Sequence, residues 1–576
     1  MKKIYILLAA AALLLSACHQ PEYVAPTAQR QGISSLAAYF AFGPFEGKEM
    51  GRLEITDAEQ DYFVIPIPWY YPADSKNRTD LYMTRVRVQA TLQPNCKISP
   101  HLGEMDLTQE NKFTYTDATG ESREITITGK RVKSSECRIY FLTVESPEVS
   151  GVVDEANHII YLPTTEDLSS VKARYAITAR TTIEPDPAKE QNYNDGVEFT
   201  VTSEDGDTKQ VYTVKRESPS KTDYGFQSST IERLFSLDPS TIGLPAFGEA
   251  VNVSMGVLGD WLIVNTATGA APKYFNKVTG SKGGEIALGD AVPTGSIASD
   301  EAGHLLLCNY AAAAETFTIW KTSSVSKAPE AFITFDNDLD IPMGAEMKVI
   351  GDVDGDAVIT ITHDGVVGET VSGRFRSLKI VGGALVANEV CDILTANGLF
   401  WSPGPAGATC IASASTDMEQ GWYTCIYPDA QLLWIKKDLS IGAQANGIGP
   451  DETENMYLNG NVDPNNLDSK NFNGATYLAL FASNHFPKWW PGPQLYLYDV
   501  AGGAPTGNVW DASQLVYSEP NTSMYDFQNN KGSNEGNGAC GDVILAPTTD
   551  GYKLYLYYYD HFGALLGGLV MDCLRR

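Results

Sequence analysis

Three groups of residues in this chain have the types and spacing to bind or react. In Gly351-Asp352-Val353-Asp354-Gly355-Asp356, the carboxylates of Asp352, Asp354 and Asp356 stand at positions one, three and five of a calcium loop, where alternate acids can converge on one hard cation. Position six, a glycine in such loops, is Ala357, and position twelve, an acid, is His363. Other segments also carry Gly-Asp ahead of an apolar run, so an ordinary strand-to-strand turn is the first reading and calcium the second. The next group is the loop Asn484-His485-Phe486-Pro487-Lys488-Trp489-Trp490-Pro491. Paired tryptophans there could stack on the C–H faces of a sugar ring while Asn484, His485 and Lys488 meet its hydroxyls; equally, Trp489 and Trp490 could plug the end of a domain. Last comes Trp69-Tyr70-Tyr71, in an insertion running to Arg78, either a contact site or packing against a neighbouring domain.

Chemistry of other kinds has no footing. The chain carries no G-x-S-x-G elbow, no phosphate-binding G-x-x-x-x-G-K-[ST], no H-E-x-x-H and no C-x-x-C. No cofactor is expected beyond the calcium alternative, and the chain reads as a non-enzyme. A propeller-type hydrolase or lyase with axial carboxylates stays open, because spacing cannot pick an acid pair out of so many acids. Lys and Arg number 42 against 71 Asp and Glu, a net charge of -29, which repels phosphate backbones and excludes nucleic acid as a partner.

The elements that must hold these residues are strands. The run Val86–Leu92 with Ile98-Ser99-Pro100 recurs as Val171–Ile177 with Ile183-Glu184-Pro185, at a constant offset of 85 residues. Phe113–Thr116 recurs as Phe199–Thr202, one residue out of step. Val86, Val88, Ala90 and Leu92 alternate with polar residues, so each copy predicts one-face-buried strands in a small antiparallel, immunoglobulin-like sandwich. After the polar hinge 217–225, short apolar and aromatic strands separated by Gly-Asp-type turns repeat every fifty to sixty residues or so, which predicts a six- or seven-bladed β-propeller. The expected layout is all-β: sandwiches over 33–146 and 147–216, and a propeller over 226–576. Ahead of them, Lys2-Lys3, an apolar run and Leu15-Ser16-Ala17-Cys18 read as a lipoprotein signal, with Cys18 lipidated and 19–32 a tether. Among the remaining cysteines, Cys96 and Cys137 could pair; the rest show no framework.

These features together resemble bacteroidetal lipoproteins that join immunoglobulin-like repeats to a C-terminal propeller, a family described as a domain of unknown function. The resemblance covers nearly the whole chain and supplies no ligand residues. It implies an outer-membrane, surface-facing accessory lipoprotein of a starch-utilisation-like system. Such a protein would bind a polysaccharide or oligosaccharide, with an outer-membrane transport complex as partner. An adhesion or assembly protein that binds another protein is the remaining alternative.

Overall fold

Alternation in the sequence becomes alternation in burial. Along Val86–Leu92, Val86 and Val88 are buried while Arg87 and Gln89 are exposed. In the computed structural model this strand pairs antiparallel with Ile33–Phe40, and the sheet is completed by Glu49–Glu54 and Glu104–Met105. A second four-stranded sheet, with Tyr62–Pro68 parallel to Ser122–Val132, shares one core with it. Phe40, Val86 and Val88 contribute from the first sheet, Phe63, Ile65 and Ile127 from the second. The structure describes residues 31–57, 59–245, 252–365, 372–399, 411–425, 431–447, 465–482, 494–519, 541–560 and 565–576.

The repeat has the same strand register in both copies. Ile98 stands opposite Tyr115 and Ile183 opposite Val201, so the one-residue slip falls between the paired strands and leaves the pairing unchanged. Both corner prolines, Pro100 and Pro185, follow cis peptide bonds. The chain divides into two compact units: Met1–Phe141 with Ser169–Val214, and Leu142–Leu168 with Lys215–Arg576. Within the second unit Val152 packs with Tyr552 and Leu574, and Arg576 donates to Asp154 at 3.1 Å.

Among the described residues, 232–572 forms six antiparallel sheets of four strands, one of them extended by a short fifth strand. Their first strands are Ser254–Leu258, Ile297–Ser299, Met343–Gly351, Ile411–Ser413, Asn465–Phe472 and Gly541–Pro547. Each packs against the next, and Gly541–Pro547 returns to Ser254–Leu258, so the six form a cycle. The sixth sheet takes its outermost strand, Glu232–Leu237, from the start of that span and the other three from its end. Cores lie between successive sheets, as with Phe317, Met347 and Ile359, or Phe481, Leu495 and Tyr558. These strands are apolar on both faces because both are covered.

Two sequence readings change in detail. Gly259-Asp260, Asp300–His304 and Gly351-Asp352 are turns between first and second strands, but Gly541-Asp542 lies inside a first strand. Cys96 and Cys137 are not joined to each other, and Cys96 accepts a hydrogen bond from the Tyr115 hydroxyl at 3.2 Å. Tyr557, Tyr558 and Tyr559 are all fully buried. Among the described residues no helix is long and apolar enough to cross a membrane.

Candidate functional site

Trp69 and Tyr70 follow the strand Tyr62–Pro68, where the chain leaves the sheet, and each ring meets a cation. The Arg131 guanidinium lies 4.1 Å from the Trp69 ring centre and the Lys133 ammonium 5.8 Å from it. Arg180, from the second repeat, lies 3.5 Å from the Tyr70 ring centre. It is held there by donating to the carbonyls of Ala73, at 2.9 Å, and Ser75. Tyr71 turns the other way and packs on Phe40 and Phe45, with ring centres 4.9 and 5.2 Å apart. Of the three aromatics, Tyr71 is therefore core, while Trp69 and Tyr70 line a cleft of about 260 Å³. Lys133, Glu136, Arg180 and Glu204 also line it. Such a cleft offers aromatic surface beside hydrogen-bonding groups of both signs, which is what a ring with apolar faces and hydroxyl edges needs.

The acidic turn is arranged differently from a calcium loop. Asp352 Oδ1 accepts from the Asp354 backbone N–H at 2.8 Å, and Asp356 Oδ1 accepts from that of Gly382 at 3.1 Å. Asp354 reaches away to Lys321 and stands 3.2 Å from His304 Nε2. The other ring nitrogen of His304, Nδ1, lies 2.7 Å from Asp300 Oδ2. Asp300 also accepts from the backbone N–H groups of Ala302, His304 and Val353. The three sequence-selected carboxylates thus serve three separate settings. A different trio, Asp300, His304 and Asp352, has donor atoms within 4.8 Å of one another. His304 escaped the sequence reading, although Asp300–His304 occupies the equivalent turn of the preceding sheet. Its hydrogen bond with Asp300 holds the imidazole pKa above its ordinary value, and Lys321 holds Asp354 below the usual carboxylate range.

Charge also fills the middle of the six-strand cycle. Lys348, on the third first-strand, reaches the sixth and donates to Asp542 at 2.5 Å and to the Val543 carbonyl at 3.3 Å. Those strands are three steps apart in the cycle, so the side chain crosses it. Lys470, on the fifth, bonds Asp468 at 2.9 Å and the Val349 carbonyl of the third. Asp542 and Asp468 accept in turn from the backbone N–H groups of Met255 and Leu545. Glu346 lies two residues before Lys348, buried at 2% exposure. Burial raises its carboxyl pKa well above the ordinary value, and Asp542 and Asp364 add to the rise. Asp364, equally buried, accepts from the Tyr310 hydroxyl at 3.1 Å and is pushed up to about 7 by desolvation. Spacing could not have found these acids, since the cycle gathers them from separate sheets. The available signal was lysine and glutamate inside an otherwise apolar strand, Met343–Gly351.

Cys18, Asn484, His485, Lys488, Trp489 and Trp490 lie outside the described residues.

A family model described as Domain of unknown function (DUF8500) matches residues 233–572, more than half of the chain. The chain belongs to the DUF8500 family. The matched span runs almost from the first residue of Glu232–Leu237 to the last of Leu565–Asp572, so the family unit is the complete cycle of six sheets. Residues 13–129 match Domain of unknown function (DUF5018), and 139–216 match Domain of unknown function (DUF8499). No curated protein matches the chain. Among solved structures, a DUF4623 family protein from Bacteroides eggerthii DSM 20697 is similar at 12% identity, over 77% of this chain and 99% of that one, with a TM-score of 0.40. Hydrazine synthase from Kuenenia stuttgartiensis is similar at 12% identity over 69% and 94%, TM-score 0.29. A protein of unknown function from Bacteroides caccae is similar at 10% over 55% and 92%, TM-score 0.25. Scores of this size carry no argument about what the DUF8500 chain does.

Proposed function

We propose that this chain is a non-catalytic glycan-binding lipoprotein of the bacterial cell envelope, anchored through Cys18, with the cleft at Trp69 and Tyr70 as its described sugar contact. The observation that carries the reading is the cleft itself: two aromatic rings and side chains of both charges around about 260 Å³. That volume lies near the lower end for ligand pockets, about 300 Å³, and suits one sugar ring better than a long chain segment. The sheet cycle is a six-bladed β-propeller in this reading, closed by pairing Glu232–Leu237 with the last strand, and the N-terminal repeats are immunoglobulin-like sandwiches. The cyclic packing of the first strands and the shared repeat register support both.

A hydrolase or lyase working through axial acids is the second reading, favoured by the raised pKa values of Glu346 and Asp364. Their 2% exposure counts against it, because a polysaccharide cannot reach them. The test is retention of the soluble chain, begun after Cys18, by a panel of plant, host and microbial polysaccharides. A Trp69→Ala, Tyr70→Ala variant and a Trp489→Ala, Trp490→Ala variant, each checked for folding by circular dichroism, run beside it. Loss in the first variant alone supports the cleft. Loss in the second alone moves the site to that loop, retention by no glycan overturns the reading, and release of shorter sugars makes the chain an enzyme.

A further inference from the structure

Three buried acceptor oxygens within the six-sheet unit have no hydrogen-bond donor: Glu346 Oε2, Asp364 Oδ1 and Asn466 Oδ1. The hydroxyl of Ser296 is likewise unpartnered. All four residues are at most 2% exposed. An unpaired buried acceptor costs about 1–3 kcal/mol, more if charged, so four in one region need an explanation.

Packing draws them together. Glu346 lies on Met343–Gly351, whose neighbours in the cycle include Ile297–Ser299, just after Ser296, and which also packs against Asn465–Phe472, carrying Asn466. The Ser296 backbone N–H donates to the Gly344 carbonyl at 3.0 Å, two residues before Glu346. Asn466 gives its amide N–H to the Gly541 carbonyl at 3.0 Å and hydrogen-bonds the Glu346 carboxylate. Asp364 follows the second strand of the same sheet, and its backbone N–H is fixed on the Pro342 carbonyl at 2.9 Å.

Lys348 donates to Asp542 and to the Val543 carbonyl and its charge also reaches Glu346, so one cation stands among three acids, Asp542, Glu346 and Asp364. Beside the Lys348–Asp542 pair stand two carboxylates, a carboxamide oxygen and a hydroxyl, so the acids outnumber the one cation that acts on them. A donor set made only of oxygen, with two acids in it, is the chemistry of a hard divalent cation, and calcium tolerates such mixed and irregular ligands best.

We infer that Glu346, Asp364, Asn466 and Ser296 form a calcium site inside the six-sheet cycle, separate from the Asp352 turn. This goes beyond the glycan reading and stands or falls without it. Bound there, calcium ties three first strands of the cycle together and neutralises its excess acid, so its role is to fix the scaffold.

The test titrates calcium alone into the chelator-treated full chain, by calorimetry and by thermal unfolding. One calcium per chain is expected, with a rise in Tm of several degrees. Glu346→Gln, isosteric and neutral, should weaken binding at least tenfold, as should Asp364→Asn, while Asp352→Asn leaves it unchanged. Terbium gives a second readout, because Tyr310 is hydrogen-bonded to Asp364. Luminescence excited through tyrosine should fall in Tyr310→Leu and be competed away by calcium. Three results overturn the site: no uptake and no rise in Tm; uptake that Glu346→Gln and Asp364→Asn leave intact; or uptake lost in Asp352→Asn instead, which assigns the ion to the turn.

Discussion

His304 joins two turns of neighbouring sheets by placing one ring nitrogen on Asp300 and the other on Asp354, with Lys321 beside Asp354 as the opposing charge. Its folded pKa lies above the ordinary 6.5, chiefly through the Asp300 hydrogen bond. Stability from this raised value is fully present below about pH 6.5 and is lost as pH rises through the folded pKa. His304→Gln should therefore cost about 1 kcal/mol near pH 6 and clearly less near pH 9, where the neutral ring keeps only its hydrogen bond to Asp300. Urea unfolding of both chains at the two pH values measures this, and a difference that grows with pH would contradict it. The Lys348–Asp542 pair is a sharper case, since its side chains are 4% and 0% exposed. Lys348→Met leaves Asp542 charged and buried without its partner and should cost about 3–5 kcal/mol. Adding Asp542→Asn should recover much of that loss, which a double-mutant cycle reads directly.

At the scale of the element, the turn after Met343–Gly351 shows why the acidic motif has its form. Gly351 has φ +93°, and a Cβ there would lie 2.3 Å from the Asp356 carbonyl oxygen, the acceptor for the Asp352 N–H that closes the turn. Gly382, in another hairpin turn of the same sheet, has φ +55° and nothing within 4 Å of the same position. Gly351→Ala should thus cost about 2–3 kcal/mol, and Gly382→Ala about 1–2 kcal/mol for the left-handed backbone alone. Thermal unfolding of the two variants tests the order, and equal losses would mean that the close approach at Gly351 is relieved cheaply. The strands themselves were legible in the sequence because burying one face imposes a period of two, as in Val86–Leu92, and because a repeat survives as spacing. The partners of Asp354 and Asp356 were not legible. They are chosen by Lys321, His304 and Gly382, residues up to about fifty positions away that only sheet packing brings near. Trp69 and Tyr70 were visible as an aromatic insertion, but Arg180, about a hundred residues on, could not be paired with Tyr70 from spacing.

For the whole molecule, the decisive contact joins the two ends of the family segment. Among the described residues Glu232–Leu237 pairs only with Leu565–Asp572 in its sheet, from Glu232 opposite Val570 to Leu237 opposite Leu566, and Leu565–Asp572 pairs on its other side with Lys553–Asp560. The sixth sheet therefore cannot form until Leu565–Asp572 is in place, and its first strand, Gly541–Pro547, is what connects the fifth sheet back to the first. Closing the cycle brings together segments more than three hundred residues apart, a contact that must overcome a large loop entropy and is rewarded only when every intervening sheet is in place. Removing residues 565–576 strips Glu232–Leu237 of its partner and exposes the edge of Lys553–Asp560, an unpaired strand that invites association. The shortened chain should lose its single cooperative unfolding transition and aggregate on purification. Removing only Arg575 and Arg576, whose ion pairs with Asp223, Asp154 and Asp572 are partly exposed, should keep that transition and lower its midpoint slightly. Calorimetry with size-exclusion chromatography separates the two cases. A cooperative, monomeric chain without 565–576 would mean that the other five sheets hold the cycle without its closing strand.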